Sequence, residues 1–334
     1  MAAGDFSRVP RRHRGYVRIM ARIGTSDLEI FPLALGANTF GWTSDETTSF
    51  AVLDAFVAGG GTHIDTADGY SAFVEGNSGG ESETIIGNWL AKGGDRDAVS
   101  IATKVSSHPE YPGLSAGNVA RAVDASLARL QTDRIDLYYA HHDDEDAPLA
   151  ETVAAFEELV AAGKIRHVAV SNYSPERLRE WMTHVADQGA TPPVALQPHY
   201  NLLHRTQYEA EYAPLAEQHG WGVLPYFGLA SGVLTGKYTE AGQLAGTDRE
   251  RIVRSYGYLR DDTFTIVGAL TAAAGDLGVA PATLALAWLR TRPQVVAPIA
   301  SARTVDQLGP LLAAATLDVP ADVLARLDEV SASI

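Results

Sequence analysis

The sequence predicts an α/β chain of the (β/α)8 TIM-barrel class, built as a single domain, and three observations carry that prediction. Strand and helix signals alternate along the whole of the 334 residues. Eight β-rich runs fall within one chain of barrel size. The glycine fingerprint that announces the competing open, doubly wound sheet is missing: Gly59, Gly60 and Gly61 precede a strand rather than follow one, and the stretch from Gly36 to Gly41 has the wrong spacing for G-x-G-x-x-G.

The β-rich runs occur at 32–36, 61–65, 98–103, 134–140, 165–171, 194–197, 221–226 and 294–298. Stretches of helical period lie between them. Segment 120–130, for example, puts Val123, Leu127 and Leu130 on one face. The apolar pattern of 149–162 stops at Gly163, a helix C-terminal signal. Ser171, Asn172 and Ser174 precede Pro175, which suits a helix start. Stretches 71–81 and 239–261 are too polar and Gly-rich for core and are expected as βα loops at the barrel mouth. Residues 1–20 read as an extension outside the fold and 21–334 as the barrel; Met20 directly precedes a predicted strand and reads as an alternative start. There is no internal repeat or low-complexity tract.

Composition narrows the function classes. Hydrophobic residues make up 46% and charged residues 20%, an ordinary globular balance. The net charge of −15 repels phosphate backbones and anionic surfaces, so neither nucleic acid nor a membrane is expected as a partner, although one local basic pocket stays compatible with it. No cysteine is present, which removes disulfides, thiolate nucleophiles and zinc-thiolate sites and fits a reducing cytoplasm. No apolar run reaches the length of a membrane helix. Arg11, Arg12, His13 and Arg14 are not followed by the apolar stretch of a secretory signal. No metal-ligand cluster is visible, and nothing specifies an oligomeric state.

Barrel chemistry sits at the C-terminal ends of strands. The polar residues ending the runs are Asp65, Lys104, His141, Ser171 with Asn172, Gln197 and Tyr226. In Asp65-Thr66-Ala67-Asp68-Gly69-Tyr70 a strand ends in a carboxylate and a tyrosine follows on the loop. A phenol has a reference pKa of about 10 and donates a proton usefully only if its phenolate is stabilised. The ammonium of Lys104 is the candidate for that, with Asp65 as its counter-charge and His141 placed to hydrogen-bond a carbonyl. Taken singly, each has a plainer reading: a solvated lysine, a satisfied core histidine, a packing tyrosine, a capping aspartate.

In combination and order these motifs resemble the aldo-keto reductase family. Asp65-Thr66-Ala67-x-x-Tyr70 matches its first signature. Glu151-Thr152, followed by Leu159-Val160-x-x-Gly163-Lys164-Ile165-Arg166-His167-Val168-Ala169-Val170-Ser171-Asn172, is similar to its central one. Gly232-Val233-Leu234-Thr235-Gly236-Lys237-Tyr238 and Ser301-Ala302-Arg303-Thr304-x-x-Gln307 resemble two later segments, and the likeness runs over about 22–332. The glycines of the former are one residue short of a P-loop, and Tyr238 follows its lysine.

The resemblance implies Asp65, Tyr70, Lys104 and His141 as a catalytic tetrad, NADP(H) as cofactor, and a small carbonyl or alcohol as substrate. Ser171, Asn172 and Gln197 would bond the nicotinamide carboxamide, with Tyr226 stacked on the ring. The loop 229–237, from Leu229 through Ser231 to Lys237, would cover the pyrophosphate. Ser301, Arg303 and Gln307 would hold the adenosine end, with Arg303 on the 2′-phosphate. Gly36, Asn38 and Asp65 complete the implied cofactor set. A helix cap at Ser171-Asn172, a buried amide at Gln197, an ordinary Gly-rich turn and a solvated Arg303 are the plainer readings.

Departures from the family pattern appear at Phe227 and Gly228, where it usually shows Ser then Pro, and at Pro310 and Leu311, where it often shows Glu-Asn. Loop 71–81 is long, and Phe73, Glu75 and Asn77 are expected to shape the mouth. Phe40, Trp42, Phe73, Tyr111, Tyr200 and Tyr256 are expected to line an aromatic pocket, which suits sugars, aromatic aldehydes, quinones and steroids alike. Two other classes compete with a working reductase. One is a nucleotide-binding sensor like the superfamily's channel-associated β-subunits. The other is a lyase using Lys104 as a Schiff-base nucleophile, which requires a lysine without an adjacent carboxylate.

Overall fold

A computed structural model describes residues 19–247 and 250–334. Most of the expected extension 1–20, including the cluster Arg11 to Arg14, lies outside the described residues. The barrel strands are β1 Ala34–Gly36, β2 His63–Asp65, β3 Ser100–Val105, β4 Ile135–Ala140, β5 Ile165–Ser171, β6 Ala195–Gln197, β7 Gly222–Val223 and β8 Ile299–Ala300. Their parallel pairing runs β7-β6-β5-β4-β3-β2-β1-β8. Closure between β7 and β8 uses single contacts rather than a ladder: Val223 N–H donates to Gln294 O, Val296 N–H to Val223 O, and Ile299 N–H to Pro225 O. The (β/α)8 barrel is therefore the observed fold.

The last two strands differ from expectation. The run 294–298 is not the eighth strand, which forms instead at Ile299–Ala300. Gln294 sits at φ 61, and Pro298 has no N–H to give, so the apolar run enters the barrel as irregular backbone. The run 221–226 pairs only at Gly222–Val223 because Pro225 interrupts the ladder.

The helices alternate as the period requires: α1 Glu46–Ala58, α2 Glu81–Ala91, α3 Ala116–Leu130, α4 Leu149–Ala161, α5 Pro175–Gln188 and α6 Ala213–His219, then α7 Glu250–Ser255, α8 Thr263–Asp276, α9 Pro281–Arg290, α10 Leu308–Ala313 and α11 Ala321–Val330. Ser174 caps α5, accepting from Arg177 N–H at 3.2 Å. Gly163 follows the end of α4 at φ 71 and donates to Val160 O. No single helix among the described residues is long and apolar enough to cross a membrane.

Two cores result. A large one fills the space between strands and helices. A smaller one fills the barrel interior, where Ala102, Leu137, Tyr139, Ala169 and Leu224 pack with Ile23, Leu28 and Ile30. Those last three belong to a hairpin, Ala21–Arg22 paired antiparallel with Glu29–Ile30, that plugs the bottom of the barrel. Gly24 in that hairpin must be glycine: its φ is +51, and a Cβ would lie 2.3 Å from Val194 O.

The segment 239–261 is more than a mouth loop. It carries α7 and a short turn, and it buries Leu244, Val253 and Tyr258 completely. The phenol of Tyr258 meets Asn201 Nδ2 at 2.9 Å and His199, which ties the segment to the loop after β6.

Candidate active site

Strand ends around the barrel converge on one cavity of about 670 Å³, within the usual range for ligand sites. It is lined by every residue the resemblance implies except Lys104, which lies buried behind it. Asp65 ends β2, Lys104 stands one residue before the end of β3, and His141 follows β4 directly. Ser171 ends β5 and Gln197 ends β6.

The centre is an ion pair with a phenol attached. Lys104 Nζ donates to Asp65 Oδ1 at 2.5 Å, to Thr66 O at 2.7 Å and to Tyr70 OH at 2.9 Å. The side chains of lysine and aspartate are 0% and 1% exposed, so neither charge has water as an alternative partner. Burial disfavours the ammonium, but the Asp65 carboxylate and the Tyr70 oxygen outweigh it and hold Lys104 above its ordinary range. A Schiff-base lysine must shed its proton, so this environment opposes the lyase reading. Tyr70 behaves differently from the simplest expectation: burial raises the phenol, and Lys104 offsets this only in part because Asp65 neutralises it. Lys104 thus fixes where the phenolate charge would sit without making Tyr70 a strong acid.

His141 Nδ1 lies 3.3 Å from Ser107 Oγ, and its ring meets Tyr70 edge-on at 6.1 Å. Burial, then the Lys104 charge and then His142 push His141 well below its ordinary range, so it is a neutral hydrogen-bonding group.

The amide cluster is already connected. Ser171 Oγ donates to Gln197 O at 2.8 Å, and Gln197 Nε2 donates to Asp65 Oδ2 at 2.9 Å. Asn172 Nδ2 donates to His141 O and to Ser171 Oγ, while its Oδ1 accepts from Tyr226 OH at 2.9 Å. The cap of α5 is Ser174, so the plainer reading of Ser171-Asn172 as that cap does not hold. Asn172 adopts φ 55, a left-handed conformation that asparagine tolerates. His199 stacks on the Tyr226 ring at 5.4 Å and 13°, with His204 behind it at 3.8 Å.

The loop from Leu229 fits a phosphate-bearing ligand. Phe227, Ala230 and Ser231 have φ of 54, 47 and 56, and Gly232 has 94, a strained run of the kind found at ligand clamps. Ser231 lines the cavity, and its Oγ is buried with no partner among the described residues. At the far wall, Ser301 Oγ donates to Asn38 Oδ1 at 2.5 Å, and Gly36 leaves room for it, since a Cβ there would lie 2.6 Å from that oxygen. Gln307 Oε1 accepts from Arg303 N–H, and the exposed Arg303 lines the cavity, as do Lys237 and Asp306.

Several expectations need correction. Phe40 and Tyr200 are fully buried core residues, and Tyr200 OH is bonded to Glu209, so neither lines a pocket. Asn77 is structural, donating to Gly41 O and Ser71 O. Tyr111 packs on His108 in a small hairpin, and Phe73 is exposed against Trp42. Tyr256 does line the cavity, as do Phe227, Gly228, Pro310 and Leu311. Sequence reasoning missed His142, Ser107 and Asp306; the tandem His141-His142 and the pair Ser106-Ser107 just after β3 were the available signals.

The chain is similar to known proteins over most of its length. The model of the aldo/keto reductase family matches residues 32–332. Protein tas of Escherichia coli (strain K12) is 35% identical over 92% of this chain and 96% of its own length. The uncharacterized oxidoreductase YrpG of Bacillus subtilis (strain 168) is 33% identical over 92% of this chain and 94% of its own. A probable voltage-gated potassium channel subunit beta of Oryza sativa subsp. japonica is 32% identical over 86% and 88%.

Proposed function

This chain belongs to the aldo/keto reductase family and is an oxidoreductase, and from that premise we propose that it reduces an aldehyde or ketone to the alcohol, reversibly, with NADPH as the hydride source. The observation that carries the reading is Lys104 Nζ held between Asp65 Oδ1 and Tyr70 OH at the edge of the cavity. The chemistry the bound dinucleotide supplies is a hydride from its reduced nicotinamide.

The protein's own work is positioning and proton transfer. Tyr70 OH gives its proton to the carbonyl oxygen, and Lys104 holds the phenolate that remains. His141 hydrogen-bonds the same oxygen. Ser171, Asn172 and Gln197 bind the carboxamide, and Tyr226, backed by His199, supports the ring. Ser231 Oγ and the positive-φ backbone around it receive the pyrophosphate. Lys237 adds a cation to the pyrophosphate loop, and Arg303 receives the 2′-phosphate, which selects NADP(H) over NAD(H). An acidic, cysteine-free chain fits work in the cytoplasm.

The test is a titration with NADPH and separately NADH, followed by tryptophan fluorescence, then a panel of aldehydes added while the absorbance of the reduced cofactor is recorded. NADPH binding with oxidation supports the reductase. Binding without oxidation by any carbonyl favours the second reading, a nucleotide sensor, which the 32% identity to a channel β-subunit keeps in play. Failure to bind either cofactor overturns the proposal.

A further inference from the structure

Beside Tyr70 lies a group that the reaction outlined above does not use. Ser107 Oγ stands 3.3 Å from His141 Nδ1 and 3.2 Å from His142 Nδ1, and the two rings lie 4.3 Å apart. The serine is held in place. It forms a short hairpin pairing with Pro112, and Gly69 packs so closely on its carbonyl that a Cβ there would lie 2.7 Å away. Its neighbour Ser106 adopts φ 124 and accepts from His142 N–H at 3.2 Å. Neither Nε2 has a partner among the described residues, and both imidazoles line the cavity.

We propose that Ser107 locks the two histidines into opposite tautomers, making His141 a donor and His142 an acceptor, and that the substrate is therefore an α-hydroxy carbonyl compound. The inference rests on the reductase reading. A carbonyl oxygen has no proton to give, so His141 must present Nε2–H to it. Its Nδ1 is then an acceptor, and the Ser107 hydroxyl must donate there. A hydroxyl has one proton, so toward His142 Nδ1 it has only a lone pair to offer. His142 must then carry its proton on Nδ1 and leave Nε2 as an acceptor at the mouth. A substrate hydroxyl next to the carbonyl meets that acceptor while its carbonyl oxygen meets His141 and Tyr70. Burial and the Lys104 charge keep both rings neutral, as opposite tautomers require.

The test uses the full enzyme with NADPH and two aldehydes of matched shape, lactaldehyde and isobutyraldehyde, which differ by hydroxyl against methyl. The ratio of their kcat/KM values cancels the rest of the machinery. In His142→Phe that ratio should fall up to about tenfold relative to wild type, as expected for one lost hydrogen bond. His142→Gln, whose amide oxygen accepts, should restore part of it. Ser107→Ala should lower kcat on both aldehydes while leaving the Kd for NADPH unchanged. Histidine nitrogen NMR supplies a readout independent of turnover: His141 should show Nε2–H and His142 Nδ1–H, and the His142 signature should disappear in Ser107→Ala. An unchanged aldehyde ratio in His142→Phe, or both rings protonated on Nδ1, overturns the proposal. A wild type that oxidises NADPH with other carbonyls but not with lactaldehyde overturns the substrate class and leaves the reductase reading standing, while the tautomer spectrum still decides the Ser107 relay.

Discussion

At Tyr70 one oxygen carries the proposed proton transfer, and its removal is the cleanest residue-scale test. Tyr70→Phe keeps the ring over Lys104, 4.6 Å from Nζ, and deletes only the hydroxyl. The expected result is a loss of about 100-fold or more in kcat with NADPH affinity nearly unchanged. Unaffected turnover would remove Tyr70 from the reaction. Its neighbour Asp68 presents a different problem. The side chain is fully buried, Oδ1 has no partner among the described residues, and Oδ2 has only a long contact to Ser106 N–H at 3.4 Å. Burial first, and then the nearby Glu83, raise this carboxyl to about 7. Its unfolded pKa is about 3.9. Between these values the folded state keeps a proton that the unfolded state has lost, so stability falls as pH rises through this window and levels off above it. Asp68→Asn removes that penalty. The variant should unfold later than wild type near pH 8, by on the order of a few kcal/mol, and the gain should vanish near pH 4. A gain independent of pH in denaturant titrations would show that Asp68 does not titrate in this range. The four residues Asp65, Tyr70, Lys104 and His141 could be picked out because they stand at or just beyond strand ends in an order that resembles the family's. Asp68 was not, because nothing in Ala67-Asp68-Gly69 says which way its side chain turns.

Helices and strands were legible wherever one face repeated with a clear period, as in α3, α4 and β3 to β5. They were lost where backbone chemistry overrode that pattern. Pro225 and Pro298 cannot donate to a ladder, so β7 and β8 are short although their runs look like good strands. Segment 239–261 was read as loop from its glycines and charges, yet Leu244, Val253 and Tyr258 anchor it, too sparsely to form a period. Close contacts between elements are equally invisible before folding. Gly87 in α2 meets the backbone of α3: a Cβ there would lie 2.1 Å from Arg129 O and 2.8 Å from Leu130 C. Alanine gains up to about 1 kcal/mol of helix propensity over glycine. Forcing two backbones apart costs more, about 1–3 kcal/mol. Gly87→Ala should therefore destabilise the protein. Gly268 in α8 is exposed, with open space around its Cβ position, so Gly268→Ala should stabilise by about 0.4–1 kcal/mol. Opposite shifts of the thermal midpoint in the two variants are the expected outcome; shifts of the same sign would contradict the close approach of α2 and α3.

For the whole molecule, the net charge of −15 works against any anionic ligand, so tight binding of a dinucleotide phosphate needs local cations that outweigh the global field. Arg303 and Lys237 both line the cavity, although Asp306 does so too. The family resemblance pointed to Arg303 and Lys237, and the segments bearing them follow barrel strands, which the topology returns to one face. It could not reveal Asp306 in the same cavity, since that depends on the turn leading into α10. Ligand linkage makes this balance measurable. A ligand at one hundred times its Kd stabilises the folded chain by about 2.7 kcal/mol, so NADPH should raise the thermal midpoint. If Arg303 holds the 2′-phosphate, Arg303→Ala should weaken NADPH by about 1–3 kcal/mol, the range for a charged hydrogen bond, and barely affect NADH. The NADPH-induced shift should then shrink toward the NADH value while the ligand-free midpoint stays put, since the guanidinium is exposed and its loss leaves no buried partner behind. Equal weakening of both cofactors would place Arg303 away from the 2′-phosphate.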